Sequence, residues 1–167
     1  MTELQDGRQV LIRALDGRDA DALTAAIDHA DPTDLRRRFM GVPPPASYLV
    51  KQLRRADGVH DLVLGAFAGD GRLVGVAQFD RIDDAPTAEV AIEVAKDWQH
   101  DGLGTLMLTR LAELARHHGI HEFTATYYAD NLPIRRLLRD IGRVVTSGYD
   151  KGEGHMTLSL DDMPAAS

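Results

Sequence analysis

The chain has 167 residues, 44% of them hydrophobic, with a formal net charge of −7 and no cysteine. The length suits one domain with a sizeable core, and the hydrophobic content argues against a disordered chain. The acidic balance disfavours non-specific nucleic-acid binding, which works by neutralising phosphates, and the lack of cysteine excludes disulfides, thiolate nucleophiles and zinc–thiolate sites. No apolar run approaches a membrane span, and the first residues lack a basic-then-apolar signal pattern, so a soluble cytoplasmic protein is expected.

In chain order, residues 1–8 are polar and expected to fray. Residues 10–12 read as a short first strand. Asp16 or Asp19 can cap a helix carrying Ala22, Leu23, Ala26 and Ile27, which Asp31-Pro32 interrupts. A second helical piece, residues 33–40, ends in Arg36-Arg37-Arg38-Phe39-Met40. A stiff connector of three prolines, Pro43 to Pro45, leads to a third helix marked by Tyr48, Leu49, Gln52 and Leu53 and ending near Gly58. Two strands follow, 61–68 and 73–79, joined by the hairpin signal Gly69-Asp70-Gly71. A turn at Asp83-Asp84 and Pro86 leads into a strand in which Val90, Ile92 and Val94 alternate with Glu89, Ala91 and Glu93. Residues 105–118 read as a helix with Met107, Leu108, Leu111, Leu114 and Ala115 on one face, stopped by Gly119. A strand at 123–128 precedes a helix at 132–141, capped by Asp130-Asn131 and ended by Gly142. Strands at 144–149 and 155–160 close the chain as an antiparallel pair, and residues 161–167 are expected to form a loose tail. No repeat or linker divides the sequence, so residues 1–167 are expected to form one domain with its core over about 10–160.

The informative stretch is Gln99-His100-Asp101-Gly102-Leu103-Gly104-Thr105, at a strand-to-helix junction. The first turn of a helix carries unpaired N–H groups and a partial positive charge, which together attract phosphate. Two glycines there let a diphosphate approach the backbone. The Walker pattern fails because no Gly-Lys-Ser/Thr follows, and the dinucleotide fingerprint fails because Met107 stands at its third glycine.

What remains, Gln99-x-x-Gly102-x-Gly104, resembles the signature of the GNAT superfamily of N-acetyltransferases, and the order β-α-α-β-β-β-α-β-α-β-β extends the resemblance over residues 10–160. The resemblance implies an α/β (α+β) fold: a mixed, mostly antiparallel sheet of six to seven strands flanked by about four helices. It implies an acyltransferase that moves an acetyl group from acetyl-CoA to a primary amine. The loop from Gln99 to Thr105, including His100, Asp101 and Leu103, would hold the cofactor's diphosphate. The strands at 87–94 and 123–128 would splay apart, and the pantetheine arm would enter the gap and bond to the backbone of Ile92, Glu93 and Val94. Asn131 and Arg136 match positions that contact the arm and the phosphates; as a cap and a solvated helix residue they also have plain structural readings.

A lysine-like amine has a pKa of about 10.4, so a base that removes its proton has value at neutral pH. Glu89 is the candidate, because Ala88-Glu89-Val90 is similar to the segment that carries the base in protein acetyltransferases of this superfamily. Glu93, on the same face, is the rival. The oxyanion donor implied by the family is a strand N–H near Ile92. Three positions depart from the pattern, one of them Arg143, which stands where many relatives carry Phe. Leu138 stands where many relatives carry the tyrosine that protonates the leaving thiolate, so either the thiolate leaves without help or Tyr127 or Tyr128 substitutes, and both tyrosines also read as strand packing. Asp101 stands where many carry Arg or Lys; beside a diphosphate it is expected to point to water, and Asp101→Lys to tighten binding.

Within the superfamily the chain most resembles the catalytic domain of bacterial protein lysine acetyltransferases of the Pat type, through Arg37-Arg38-Phe39-Met40, Glu89-Val90-Ala91-Ile92 and Asp130-Asn131. Some of these carry a cyclic-nucleotide domain, for which 167 residues leave no room, so that regulation is not carried over. The expected acceptor is a protein lysine, with an acyl-CoA synthetase as one protein candidate. A small amine is the alternative, and a non-catalytic acyl-CoA-binding module is the third reading. Acceptor choice is expected to lie in residues 36–40 and Tyr48. No metal is assigned, because the histidines show no ligand spacing; no nucleic-acid or membrane partner is expected, and the oligomeric state is open.

Overall fold

The structure, a computed structural model, describes residues 1–163. An eight-stranded sheet runs in the order β1-β2-β3-β4-β5-β6-β8-β7, with strands β1 (Thr2–Glu3), β2 (Gln9–Ala14), β3 (Asp61–Ala68), β4 (Leu73–Arg81), β5 (Thr87–Val94), β6 (Glu122–Tyr128), β7 (Arg143–Asp150) and β8 (Glu153–Ser159). Helices α1 (Ala20–His29), α2 (Pro32–Phe39) and α3 (Ala46–Arg55) precede β3; α4 (Leu103–His117) follows β5 and α5 (Leu132–Ile141) follows β6. All strand pairs are antiparallel except β5 and β6, whose connection is the α4 crossover. The fold class is as expected, with one strand and one helix more than the expected counts.

Local chemistry explains most boundaries. Asp16 caps a short 3-10 turn, accepting from the Arg18 N–H, while Asp19 bonds back to the Asp16 N–H. Asp31 accepts from the Thr33 N–H, with Pro32 in the first turn of α2. Asn131 caps α5 in the same way through Ile134. Lys151 and Gly152, both at positive φ, close the β7–β8 hairpin.

Both faces of the sheet are covered. Leu23, Leu49 and Leu53 from α1 and α3 pack on one face with Leu73 and Val76. On the other, Met107, Leu108, Leu111 and Ala115 of α4, with Leu138 and Ile141 of α5, are fully buried against Phe79, Phe123 and Leu158. Two expectations about the ends fail. Residues 1–8 do not fray: Thr2 and Glu3 pair with Val10 and Gln9, and Leu4 is buried. Residues 161–163 are tied down as well, with Met163 buried, Asp161 bonded to His121 and Asp162 to Arg143. The expected tail beyond them, residues 164–167, lies outside the described residues. No helix among the described residues is long and apolar enough to cross a membrane.

Candidate active site

β5 and β6 pair over three positions only: Thr87 with Glu122, Ala88 with Phe123 and Glu89 with Thr124. Beyond Glu89 the strands separate, leaving residues 90–94 without a partner on that side. A cavity of about 840 Å³ fills the fork, and residues 89–94, Ala125, Thr126 and Tyr127 all line it. The expected splay is present, and Glu89 stands at its apex.

The glycine junction closes one end of the cavity. Gly102 sits at φ +83 and is the uncapped N-cap of α4. A side chain there would meet backbone strain, since an L residue in this region costs about 1–2 kcal/mol. A Cβ at Gly104 would stand 3.1 Å from Leu137 Cδ2 and 3.9 Å from Ile92 Cδ1, between the facing helix and the strand edge. Leu106 is the first helical residue whose N–H is bonded, to the Gly102 carbonyl; the N–H groups before it lie in the turn that an α-helix leaves unpaired. The backbone thus forms a cradle for an anion with room for close approach.

The expected loop residues divide by role. Gly102, Gly104, Thr105, Gln99 and His100 line the cavity together with Ile92, Glu93, Val94, Asn131 and Arg136. Gln99 is a splint: its amide nitrogen donates to the Val94 carbonyl at 2.9 Å and to Asp34 at 3.1 Å, tying loop to β5 and α2. His100 is exposed at φ +70. Leu103 points into the core, so only its backbone can serve an anion. Asp101 corrects the sequence reading. It does not line the cavity and is not left to water, because Arg8 Nη2 donates to it at 2.7 Å. A lysine there would face Arg8, so the reason for expecting tighter binding from Asp101→Lys disappears.

On the opposite side, facing α2 and α3, strand register sets a row of polar groups. Asp80 stands opposite Glu89, Gln78 opposite Ala91 and Val76 opposite Glu93. Glu93 is committed: its carboxylate is bonded at 3.2 Å to Arg38, whose side chain is 5% exposed. Arg38 also donates to Gln78 Oε1 at 2.9 Å, and Gln78 donates to Asp80 at 2.9 Å. Burial pulls the Arg38 guanidinium below its ordinary value and Glu93 pulls it back. Glu93 is therefore neutralised in an ion pair, while Glu89 is exposed to the cavity and makes no salt bridge among the described residues. Of the residues expected to shape the acceptor side, Arg37, Arg38, Phe39, Met40 and Tyr48 line the cavity. Arg36 does not; its guanidinium lies 6.0 Å from the Tyr128 ring centroid.

Leu138 is buried, so the position of the family tyrosine offers no proton. Tyr127 lines the cavity from the splayed part of β6 and packs on Gly154, where a Cβ would come within 2.4 Å of its ring. Burial first, then the neighbouring Tyr149, raises its pKa, so the phenol stays protonated at neutral pH. Sequence reasoning missed Gln5 and Arg8, which no local signal marks, and Asp80, which counting back from the 82–86 turn to Glu89 would have found. No group of three or more His, Asp or Glu among the described residues could hold a metal ion.

Residues 9–144 match the acetyltransferase (GNAT) domain family. The chain belongs to the GNAT acetyltransferases. It is 30% identical over 145 residues to an acetyltransferase of Pseudomonas aeruginosa, a match that covers 84% of this chain and 78% of that protein. It is 31% identical over 112 residues to the acetyltransferase Pat of Mycolicibacterium smegmatis, covering 66% of this chain but only 34% of Pat. Among solved structures it is similar to the GNAT domain of S. lividans PAT, with a TM-score of 0.86, 25% identity and 95% of each chain covered. It shares the fold of yncA from Salmonella typhimurium, solved with its cofactor acetyl-CoA, at a TM-score of 0.73 and 23% identity over 95% of this chain and 98% of that one. As a GNAT acetyltransferase the protein is an acyl-transferring enzyme acting on amines.

Proposed function

We propose that the protein uses acetyl-CoA to acetylate the side-chain amine of lysine in a protein acceptor. The observation that carries this reading is the fork itself: a strand pair that parts at a carboxylate, with an uncapped glycine cradle at the far end. An extended pantetheine arm fits the unpaired edge of residues 90–94, where it would act as an added strand. The diphosphate fits the first turn of α4, and Arg136 lines the same region. Acetyl-CoA supplies an activated thioester.

The chain's own groups then divide the work. Glu89 accepts the proton that the acceptor ammonium must lose before its nitrogen attacks the carbonyl carbon. Asp80, directly across from Glu89, adds a second carboxylate to the wall of the cavity and favours a cationic acceptor. As the carbon–sulfur bond breaks, Tyr127, a protonated phenol that lines the cavity, would return a proton to sulfur in place of the residue that Leu138 replaces. The similarity to Pat proteins supports a protein acceptor, and the cavity's second wall from α2 and α3 supplies the surface to read it. A small-amine acceptor is the second reading, favoured by the fact that this fold serves many acceptors.

Release of free CoA from acetyl-CoA separates these readings when measured with an acyl-CoA synthetase, with a panel of polyamines and aminoglycosides, and without acceptor. Turnover with the protein alone supports lysine acetylation. Turnover with small amines alone overturns it, and acetyl-CoA binding without turnover in any mixture overturns both.

A further inference from the structure

The amino-terminal turn is bound into the glycine loop in a way the chemistry described so far does not use. Leu4 donates to the Arg8 carbonyl and Gly7 donates to the Leu4 carbonyl, so residues 4–8 form a closed turn. Asp6 caps it from within, accepting from the Arg8 backbone N–H and from its guanidinium. The turn is anchored by buried Leu4, by the β1–β2 pairing and by Arg110, which donates to the Thr2 hydroxyl at 2.9 Å. Arg8 then reaches the loop three ways. It donates to the Asp97 carbonyl at 3.0 Å and to Asp101 at 2.7 Å, and its guanidinium lies 3.8 Å from the centroid of the Trp98 ring. This rigid turn carries Gln5 to the glycine cradle: a Cβ at Gly102 would stand 3.6 Å from the Gln5 amide nitrogen, and Gln5 lines the same cavity as Gly104, Thr105 and Arg136.

We propose that this turn is a clasp for the phosphate-bearing end of the cofactor, with Gln5 as a binding residue whose amide N–H donates to a phosphate oxygen, and Arg8 as the positioning residue that holds both Gln5 and the loop. The inference rests on the reading that the glycine cradle takes the acetyl-CoA diphosphate. Asp101 fits this arrangement. It anchors the clasp, and Arg8 cancels a charge that would otherwise repel phosphate.

Two independent sets of variants test it, each read by calorimetric titration with acetyl-CoA and by steady-state kinetics. Gln5→Ala should weaken binding by about tenfold, the size of one hydrogen bond to a charged group. Gln5→Glu should weaken it further and Gln5→Lys should restore or tighten it, with both charge effects shrinking as salt rises. A merely structural role would make Glu and Lys alike. Arg8→Ala should raise KM for acetyl-CoA with little change in kcat, and Arg8→Ala/Asp101→Ala should recover part of the loss, because the carboxylate left bare is gone. Thermal melts check that each variant folds. If the wild-type protein binds acetyl-CoA and the Gln5 series is indifferent to charge, the clasp is overturned while the cradle stands. If the wild-type protein does not bind acetyl-CoA, both fall.

Discussion

Replacing Arg38 with methionine tests the polar wall of the acceptor side. The Arg38 side chain is 5% exposed and that of Glu93 15%, with Nη1 3.2 Å from the carboxylate. Its second amino group serves Gln78, and its Nε has no partner among the described residues. Methionine keeps the stem but removes every donor, so Glu93 is left as a half-buried carboxylate at the cavity wall with no counter-charge. Breaking such a pair from one side costs about 3–5 kcal/mol. For a domain of this size each kcal/mol moves the melting temperature by roughly 2–4 °C, so the melt should fall by about 6–20 °C. Removing both charges is a different perturbation: Arg38→Met/Glu93→Leu should recover most of the loss, because an apolar pair of similar volume is often neutral or better. Thermal and urea melts at neutral pH read both values. A drop below about 2 °C in the single variant, or a double variant as unstable as the single, would refute the claim that this pair is a buried, interdependent unit.

Gly104→Ala adds a methyl 3.1 Å from Leu137 in a helix that otherwise favours alanine over glycine. Its stability should change by less than about 1 kcal/mol, and acetyl-CoA affinity measured by calorimetry should change by less than about tenfold, because the methyl meets the Leu137 side chain and leaves the unpaired backbone N–H groups free. Stability should also respond to acid in a defined window. The Arg13 side chain holds Asp19 below its ordinary value through two hydrogen bonds of 2.7 and 2.9 Å, and the Arg18 side chain lowers Asp16 to about 2. Carboxylates with depressed folded-state pKa values stabilise the fold above their unfolded pKa near 3.9 and lose that contribution as pH falls through the folded value. Melting temperature should therefore be flat from about pH 7 to 5 and fall between about pH 4 and 2, and Asp19→Asn should flatten that acid arm in a calorimetric pH series.

The parts of this architecture set by neighbouring residues were readable from the chain. Alternation at residues 89–94, the α4 stripe and the Asn131 cap are all local patterns, and each appears where the pattern puts it except at Leu114, which the stripe includes but which lies exposed on α4. The glycine junction was readable because an anion cradle needs the residues that stand next to each other there. What escaped depends on distant partners. Residues 1–8 look like a polar end until β2 pairs with Thr2 and Glu3 and Trp98 receives Arg8. Asp101 looks like an unfavourable charge until Arg8, 93 positions away, is brought to it. Glu89 and Glu93 share one strand face, and only the family resemblance prefers Glu89 in the sequence; α2, by delivering Arg38 to Glu93, supplies the physical reason.

Glu89, at the apex of the β5–β6 fork, is proposed to work on an acyl donor held by the α4 cradle. The direct measurement is the Glu89→Gln protein, with acetyl-CoA affinity taken by calorimetry and turnover followed by CoA release across pH 6–10. The expected result is an unchanged Kd, a kcat at neutral pH lower by about 10²–10⁴, and partial recovery at high pH as the acceptor amine loses its proton unaided. Full turnover at neutral pH in that variant, or loss of cofactor binding in place of loss of turnover, would contradict it.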